Sequence, residues 1–130
     1  MIILALRTDK PEAELYLYDG DKKLAGIERQ AHLKLAETIH QQIKKVLMLQ
    51  GLSLQQIKGI AIYKGPGSFT GLRIGMSVAN ALAYARAIPI VAKGGDDWLA
   101  QSIKALRAGK NDKIATPRYG APARVTKPRK

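Results

Sequence analysis

The chain has 130 residues, a net charge of +12 from 22 Lys and Arg against 10 Asp and Glu, 46% hydrophobic and 25% charged residues, and no cysteine. This is enough chain for one domain with a modest core, and its balance is that of a soluble protein rather than a low-complexity or collagen-like one. Disulfides and thiolate metal sites are excluded, and no apolar stretch is long enough to cross a bilayer.

Ile2 to Leu6 is a continuous apolar run, the pattern of a central strand covered on both faces. It is too short for the core of a signal peptide and Arg7 follows at once, so the cytoplasm is the expected compartment. Glu14 to Tyr18 and Leu24 to Glu28 read as shorter alternating strands, and Asp19-Gly20 between them signals a hairpin. Leu35, Ile39, Ile43, Val46 and Leu47 recur at steps of three and four, predicting an amphipathic helix that stops at Gly51. Lys58 to Tyr63 reads as the next strand, Leu72 to Arg86 as a helix rich in Ala, Met and Leu, and Ile88 to Ala92 as the last strand. A helix from Asp97 to Ala108 follows, with Asp96 as its expected cap and Gly109 as its stop. The order is βββαβαβα: antiparallel hairpins first, alternating strand and helix units afterwards. Residues 1–109 form the predicted lobe. Residues 110–130 hold seven Lys or Arg against one Asp, three of the six prolines, and no Leu, Phe, Trp or Met, which predicts a disordered basic tail.

The most informative stretch is Gly-Pro-Gly-Ser-Phe-Thr-Gly-Leu-Arg-Ile-Gly at 65–75, where a strand hands over to a helix. Gly65, Pro66 and Gly67 make the turn, and Ser68 or Thr70 can cap the helix. The free amides of a helix start favour an anion, so Gly65, Gly67, Ser68 and Thr70, with Arg73 and Arg7 nearby in the expected fold, form a candidate anion loop. The spacing is neither Gly-x-x-x-x-Gly-Lys-Ser/Thr nor Gly-x-Gly-x-x-Gly, so local chemistry alone favours a plain capped turn over a phosphate site.

The run GPGSFTGLRIG, continued by the Ala-rich helix and by Ile88-Pro89-Ile90-Val91, closely resembles the signature of the TsaB family of bacterial tRNA threonylcarbamoyladenosine biosynthesis proteins. The similarity runs through residues 1 to about 109 in order of elements, with residues 65–91 specific enough to identify it. The resemblance implies an α/β, ribonuclease H-like lobe of the actin and sugar-kinase type, of which this length has room for the first only. It also implies a subunit that pairs with the catalytic subunit TsaD through its first two helices, or with itself. TsaD, with the ATPase TsaE, transfers threonylcarbamoyl to adenosine 37 of tRNA. No intrinsic cofactor is expected; ATP or ADP and magnesium enter only in the assembled complex.

Relatives of this type usually read Asp-Thr at the end of the first strand, where phosphate and magnesium are held; the matching residues here are Arg7-Thr8. An Arg removes the metal ligand and puts a cation in its place, although its planar fork could hold a phosphate directly. Asp9 could substitute for the acid or serve as a turn residue. His32 and His40, eight apart, read as exposed helix residues, and Glu12, Glu14, Asp19 and Asp21 as solvated carboxylates at strand and turn borders. No Ser-His-Asp or His-Glu-x-x-His set can be assembled. Arg73, in the first turn of a helix, opposes the dipole and calls for an acid, either Asp9 or a group on a partner.

On the helix at 72–86, Arg73, Ser77, Asn80 and Tyr84 form one narrow polar stripe. Gly71, Gly75, Ala79 and Ala83 fall four apart, a ridge of small side chains that another helix can approach. With Met76, and with Ile39 and Ile43 of the preceding helix, this ridge is the expected protein interface, unless the chain covers it itself. The leading expectation is therefore a non-catalytic subunit that stabilises TsaD. A phosphoryl-transfer or nucleotide-binding enzyme completing its cleft by dimerising is the alternative, and an RNA-binding module a third. Arg118, Arg124, Lys127, Arg129 and Lys130 are the candidate RNA contacts of the tail.

Overall fold

The first apolar run is the middle of the sheet. In the computed structural model, which describes residues 1–30 and 35–118, β1 (Ile2–Arg7) pairs antiparallel with β2 (Glu12–Asp19), and β2 antiparallel with β3 (Lys22–Gln30). On its other side β1 pairs parallel with β4 (Ile57–Tyr63), and β4 parallel with β5 (Ile90–Lys93). The order across the sheet is β3-β2-β1-β4-β5. Helices α1 (Leu35–Leu49), α2 (Phe69–Arg86) and α3 (Trp98–Arg107) complete the chain order βββαβαβα among the described residues, the ribonuclease H-like arrangement. A short 3-10 turn at Leu54–Gln56 leads into β4.

The period of two along each strand sorts side chains onto two faces. Leu4, Leu6, Leu15, Leu17, Ile60, Ile62 and Ile90 point to the face covered by α1 and α2, where they meet Ile39, Ile43, Val46, Met76 and Ala79. Each fully buried Leu or Ile there contributes roughly 1.5–3 kcal/mol of transfer free energy. Ile3, Ala5, Ala61, Tyr63 and Val91 point to the other face, where α3 brings Trp98, Ile103 and Leu106. α3 lies on β4 and β5, so Tyr16 and Tyr18 of β2 are only partly covered.

α2 starts with Ser68 as its cap, accepting from Gly71 N at 3.5 Å, and ends at Ala87 in the left-handed conformation (φ 53°). The cap of α3 is Asp97 rather than Asp96, and its side chain makes no capping bond.

The basic segment does not leave the lobe at Gly109. Asp112 N donates to Ile90 O at 2.8 Å, Asp112 Oδ2 accepts from Ala92 N at 2.9 Å, and Asn111 Oδ1 accepts from Ile90 N at 3.1 Å. Asn80 of α2 and Ala115 exchange two bonds of 2.8 and 3.0 Å, and Ala115 is buried. Residues 110–118 thus run along the free edge of β5, which corrects the expectation of disorder for that stretch. Hydrogen bonds to an edge strand hold it where apolar area could not. The remainder of the predicted tail, 119–130, lies outside the described residues.

Candidate functional site

The parallel strands β1, β4 and β5 end side by side, and the chemistry-bearing residues of the sequence gather at those ends. Arg7 closes β1, Tyr63 closes β4 and Lys93 closes β5, with Tyr63 and Lys93 in register. The Arg7 guanidinium lies over the Tyr63 ring at 3.8 Å. Its Nε donates to Asp9 Oδ1 at 2.8 Å and its Nη2 to Asp9 Oδ2 at 3.3 Å, a two-pronged pair in which the Asp9 side chain is only 6% exposed. Burial pulls the Arg7 pKa down, but the hydrogen bond and charge of Asp9 outweigh it and leave the group above its ordinary value. Asp9 is therefore committed to Arg7 and does not reach Arg73, whose guanidinium instead lies 5.2 Å from the centre of the Phe69 ring.

Tyr63, which sequence reasoning passed over as a buried strand residue, ties this corner together. Its hydroxyl donates to Pro66 O at 2.7 Å, and its ring meets Trp98 edge-on at 5.7 Å. Burial pushes the Tyr63 hydroxyl pKa up, with the charge of Arg7 opposing. The glycine loop beyond it is packed tightly on its own chain: a Cβ on Gly67 would come within 2.5 Å of the Asp9 side chain, and one on Gly65 within 1.9 Å of Arg118 O. Of the candidate anion loop, Gly65, Gly67 and Ser68 lie in one loop against the Arg7–Asp9 pair, whereas Thr70 and Arg73 are exposed along α2. An Arg, its committed carboxylate and a capping serine do not fit a magnesium ion, and among the described residues no three His, Asp or Glu converge as a metal site.

The small-residue ridge of α2 turns inward. Thr8 Oγ1 donates to Gly71 O at 2.7 Å, and Cβ atoms on Gly71 or Gly75 would come within 2.1 Å of Thr8 O or Thr8 Oγ1. Gly75, Met76, Ala79 and Ala83 are buried, as are Ile39 and Ile43 of α1. This corrects the expected interface: the glycines let the helix lie against the end of β1, and the ridge is spent on the chain's own sheet. The large apolar side chains that α1 and α2 leave in water, among the described residues, are Met48, Leu49, Phe69 and Tyr84, the last 90% exposed.

A second ionic group lies on the thinly covered face of β2. Glu14 accepts from Tyr16 and Lys10 at 2.5 Å each. Burial raises the Glu14 pKa, but those two donors outweigh it and leave the carboxyl below its ordinary value. Burial and then Glu14 push the Tyr16 hydroxyl up. A groove of about 650 Å³ runs beneath α3 from Asp96 and Asp97 past Tyr18 and Ile103 to Arg107, away from the glycine loop. His40 is exposed on α1; His32 lies outside the described residues, as do Arg124, Lys127, Arg129 and Lys130.

The family model described as TsaD, tRNA N6-adenosine threonylcarbamoyltransferase, matches residues 27–108. The chain is 31% identical over 113 residues to the tRNA threonylcarbamoyladenosine biosynthesis protein TsaB of Haemophilus influenzae, covering 85% of this chain and 47% of that protein. It is 36% identical over 115 residues to the protein of the same name from Buchnera aphidicola subsp. Schizaphis graminum, covering 87% and 52%. Among solved structures it superposes on YeaZ from Pseudomonas aeruginosa with a TM-score of 0.68 at 29% identity, covering 83% of this chain and 49% of that one. The chain spans about half the length of the curated relatives it matches.

Proposed function

Because the chain belongs to the TsaD and TsaB family of tRNA threonylcarbamoyladenosine proteins, we propose that it is a non-catalytic subunit of the machinery that makes this modification, binding and stabilising a TsaD-like catalytic subunit. The observation behind the non-catalytic part is the Arg7–Asp9 pair. At the end of β1, where a phosphoryl-transfer lobe needs a free carboxylate, a guanidinium stands, and the nearest carboxylate is held by two hydrogen bonds at 2.8 and 3.3 Å. Releasing Asp9 would strand a largely buried charge, so the pair resists conversion into a metal ligand. ATP and magnesium then belong to the partner proteins, a TsaD-like subunit and a TsaE-like ATPase.

The pairing surface that suits this role is the solvent side of α1 and α2, where Met48, Leu49, Phe69 and Tyr84 are exposed and Arg73 lies over the Phe69 ring. A cation in the first turn of α2 opposes the helix dipole and accepts a partner's acid readily.

Reconstitution tests the reading. The chain is combined with the TsaD-like and TsaE-like proteins of its own genome, ATP and unmodified tRNA, and the modified nucleoside is measured by mass spectrometry. Modification should require the chain, and the chain alone should hydrolyse ATP at the background rate. Modification that is unchanged when the chain is left out would overturn the subunit role. ATP turnover by the chain alone that disappears in Arg7→Ala would establish an enzyme instead.

A further inference from the structure

We propose that the C-terminal edge of the sheet is a docking surface for the phosphate backbone of tRNA, an inference that rests on the assignment to tRNA modification. Three basic residues are joined there by consecutive backbone bonds: Arg118 N donates to Lys64 O, and Lys64 N donates to Lys93 O at 3.0 Å. The register of β4 and β5 puts Lys93 beside Tyr63, and the space next to Gly94 is bounded by Arg118 Nη2, 3.4 Å from where a Cβ would stand. Arg118 therefore arches over the loop after β5, on the same corner as the Arg7 guanidinium.

The acids of this corner do not cancel these charges. Asp9 is engaged by Arg7, and neither that pair nor Met1–Asp19, Lys10–Glu14 and Arg107–Asp21 includes Lys64, Lys93 or Arg118. Asp96 is near enough to act on the Tyr63 hydroxyl, as Arg118 does, and with its neighbour Asp97 the loop after β5 holds two acids against the three cations Lys64, Lys93 and Arg118. Lys64, Lys93 and Arg118 do not line the groove beneath α3; Lys64 and Lys93 are half-buried at the strand ends and Arg118 is exposed beside them. That geometry suits a polymer of spaced phosphates better than a single enclosed anion.

The full chain is titrated onto fluorescent, unmodified tRNA over a potassium chloride series. Each phosphate contact contributes about 0.7 to 0.9 to the slope of log affinity against log salt. The variant carrying Lys64→Ala, Lys93→Ala and Arg118→Ala should bind about tenfold more weakly near 0.1 M salt, with a slope shallower by roughly 2. The exposed Arg118→Ala alone, which leaves its backbone bond intact, should take away about 0.7 and guards against misfolding of the triple variant. A control with Lys22→Ala, Lys44→Ala and Lys58→Ala loses the same charge elsewhere and should keep the wild-type slope. If Arg118→Ala and the triple variant keep the wild-type slope, or if the control loses as much as the triple variant, the surface is refuted. Capture of the TsaD-like protein is measured in parallel: its failure for the wild-type chain retires the subunit role, while the tRNA titration judges this surface by itself.

Discussion

Alternate residues of the same strands build two unlike faces. Leu4, Leu6, Leu15 and Leu17 face two long helices and are wholly aliphatic, whereas Arg7, Glu14, Tyr16, Tyr18 and Tyr63 lie on the face of one ten-residue helix that packs mainly on β4 and β5. Coverage decides the chemistry. Where helices exclude water on both sides of a contact, only apolar side chains fit. Where the sheet is half bare, tyrosines cover the strands with their rings and present a hydroxyl to an acid or a carbonyl. The thick face is an aliphatic core, and the thin face and its strand ends hold the polar and charged groups of the sheet.

That contrast breaks first at the contact between α2 and the end of β1. Gly75→Ala sets a methyl about where Thr8 Oγ1 already stands, and Thr8 is 1% exposed and bonded to Gly71 O, so neither can yield. The loss should be about 3 kcal/mol, read as a lower urea midpoint, and Gly75→Leu should not fold. A Gly75→Ala protein with wild-type stability would mean that the helix is not pressed against Thr8.

Neighbouring residues on β2 sharpen it. Leu17→Ala empties a fully buried site on the thick face and should cost about 2–5 kcal/mol. Tyr16→Phe removes only the bond to Glu14 on the thin face and should cost about 0.5–1.5 kcal/mol. Equal losses in urea melts would erase the distinction between faces.

The smallest effect lies in pH. Glu14 is held below its ordinary value of 4.5 by Lys10 and Tyr16, so its contribution is fully present above that value and is lost as pH falls through the lower folded value. Glu14→Gln should flatten the decline of stability on the acid side of pH 4.5, by less than about 1 kcal/mol because Lys10 is well solvated. An unchanged pH profile would show that the pair does not contribute.

The sequence displays the strands and helices because each buries an apolar pattern. Ile2 to Leu6 is unbroken because both its faces are covered, and the spacing of Ile39, Ile43 and Val46 marks the inner side of α1. The direction of the α2 ridge is not legible in that way. Small residues four apart permit close approach to anything, and it is the position of Thr8, 63 residues away from Gly71, that decides the matter. Asp9 could be seen to fall on one side of the chain with Arg7, yet Arg73 competed for it until the fold showed which guanidinium was within reach. Residues 110–118 escape composition because their attachment is made by Asn80, Asn111, Asp112 and backbone groups, with Ala115 the buried apolar side chain.

That attachment also settles how the sheet ends. β5 is an outer strand, and an outer strand with open amides is a template on which another chain can polymerise. Here the Asn111 and Asp112 carboxamide and carboxylate oxygens take the amides of Ile90 and Ala92, so the edge is terminated by side chains instead of a sixth strand. A chain stopped at Gly109 would lose this terminator together with the buried Ala115, and the bared amides of Ile90 and Ala92 should make it prone to edge-to-edge aggregation.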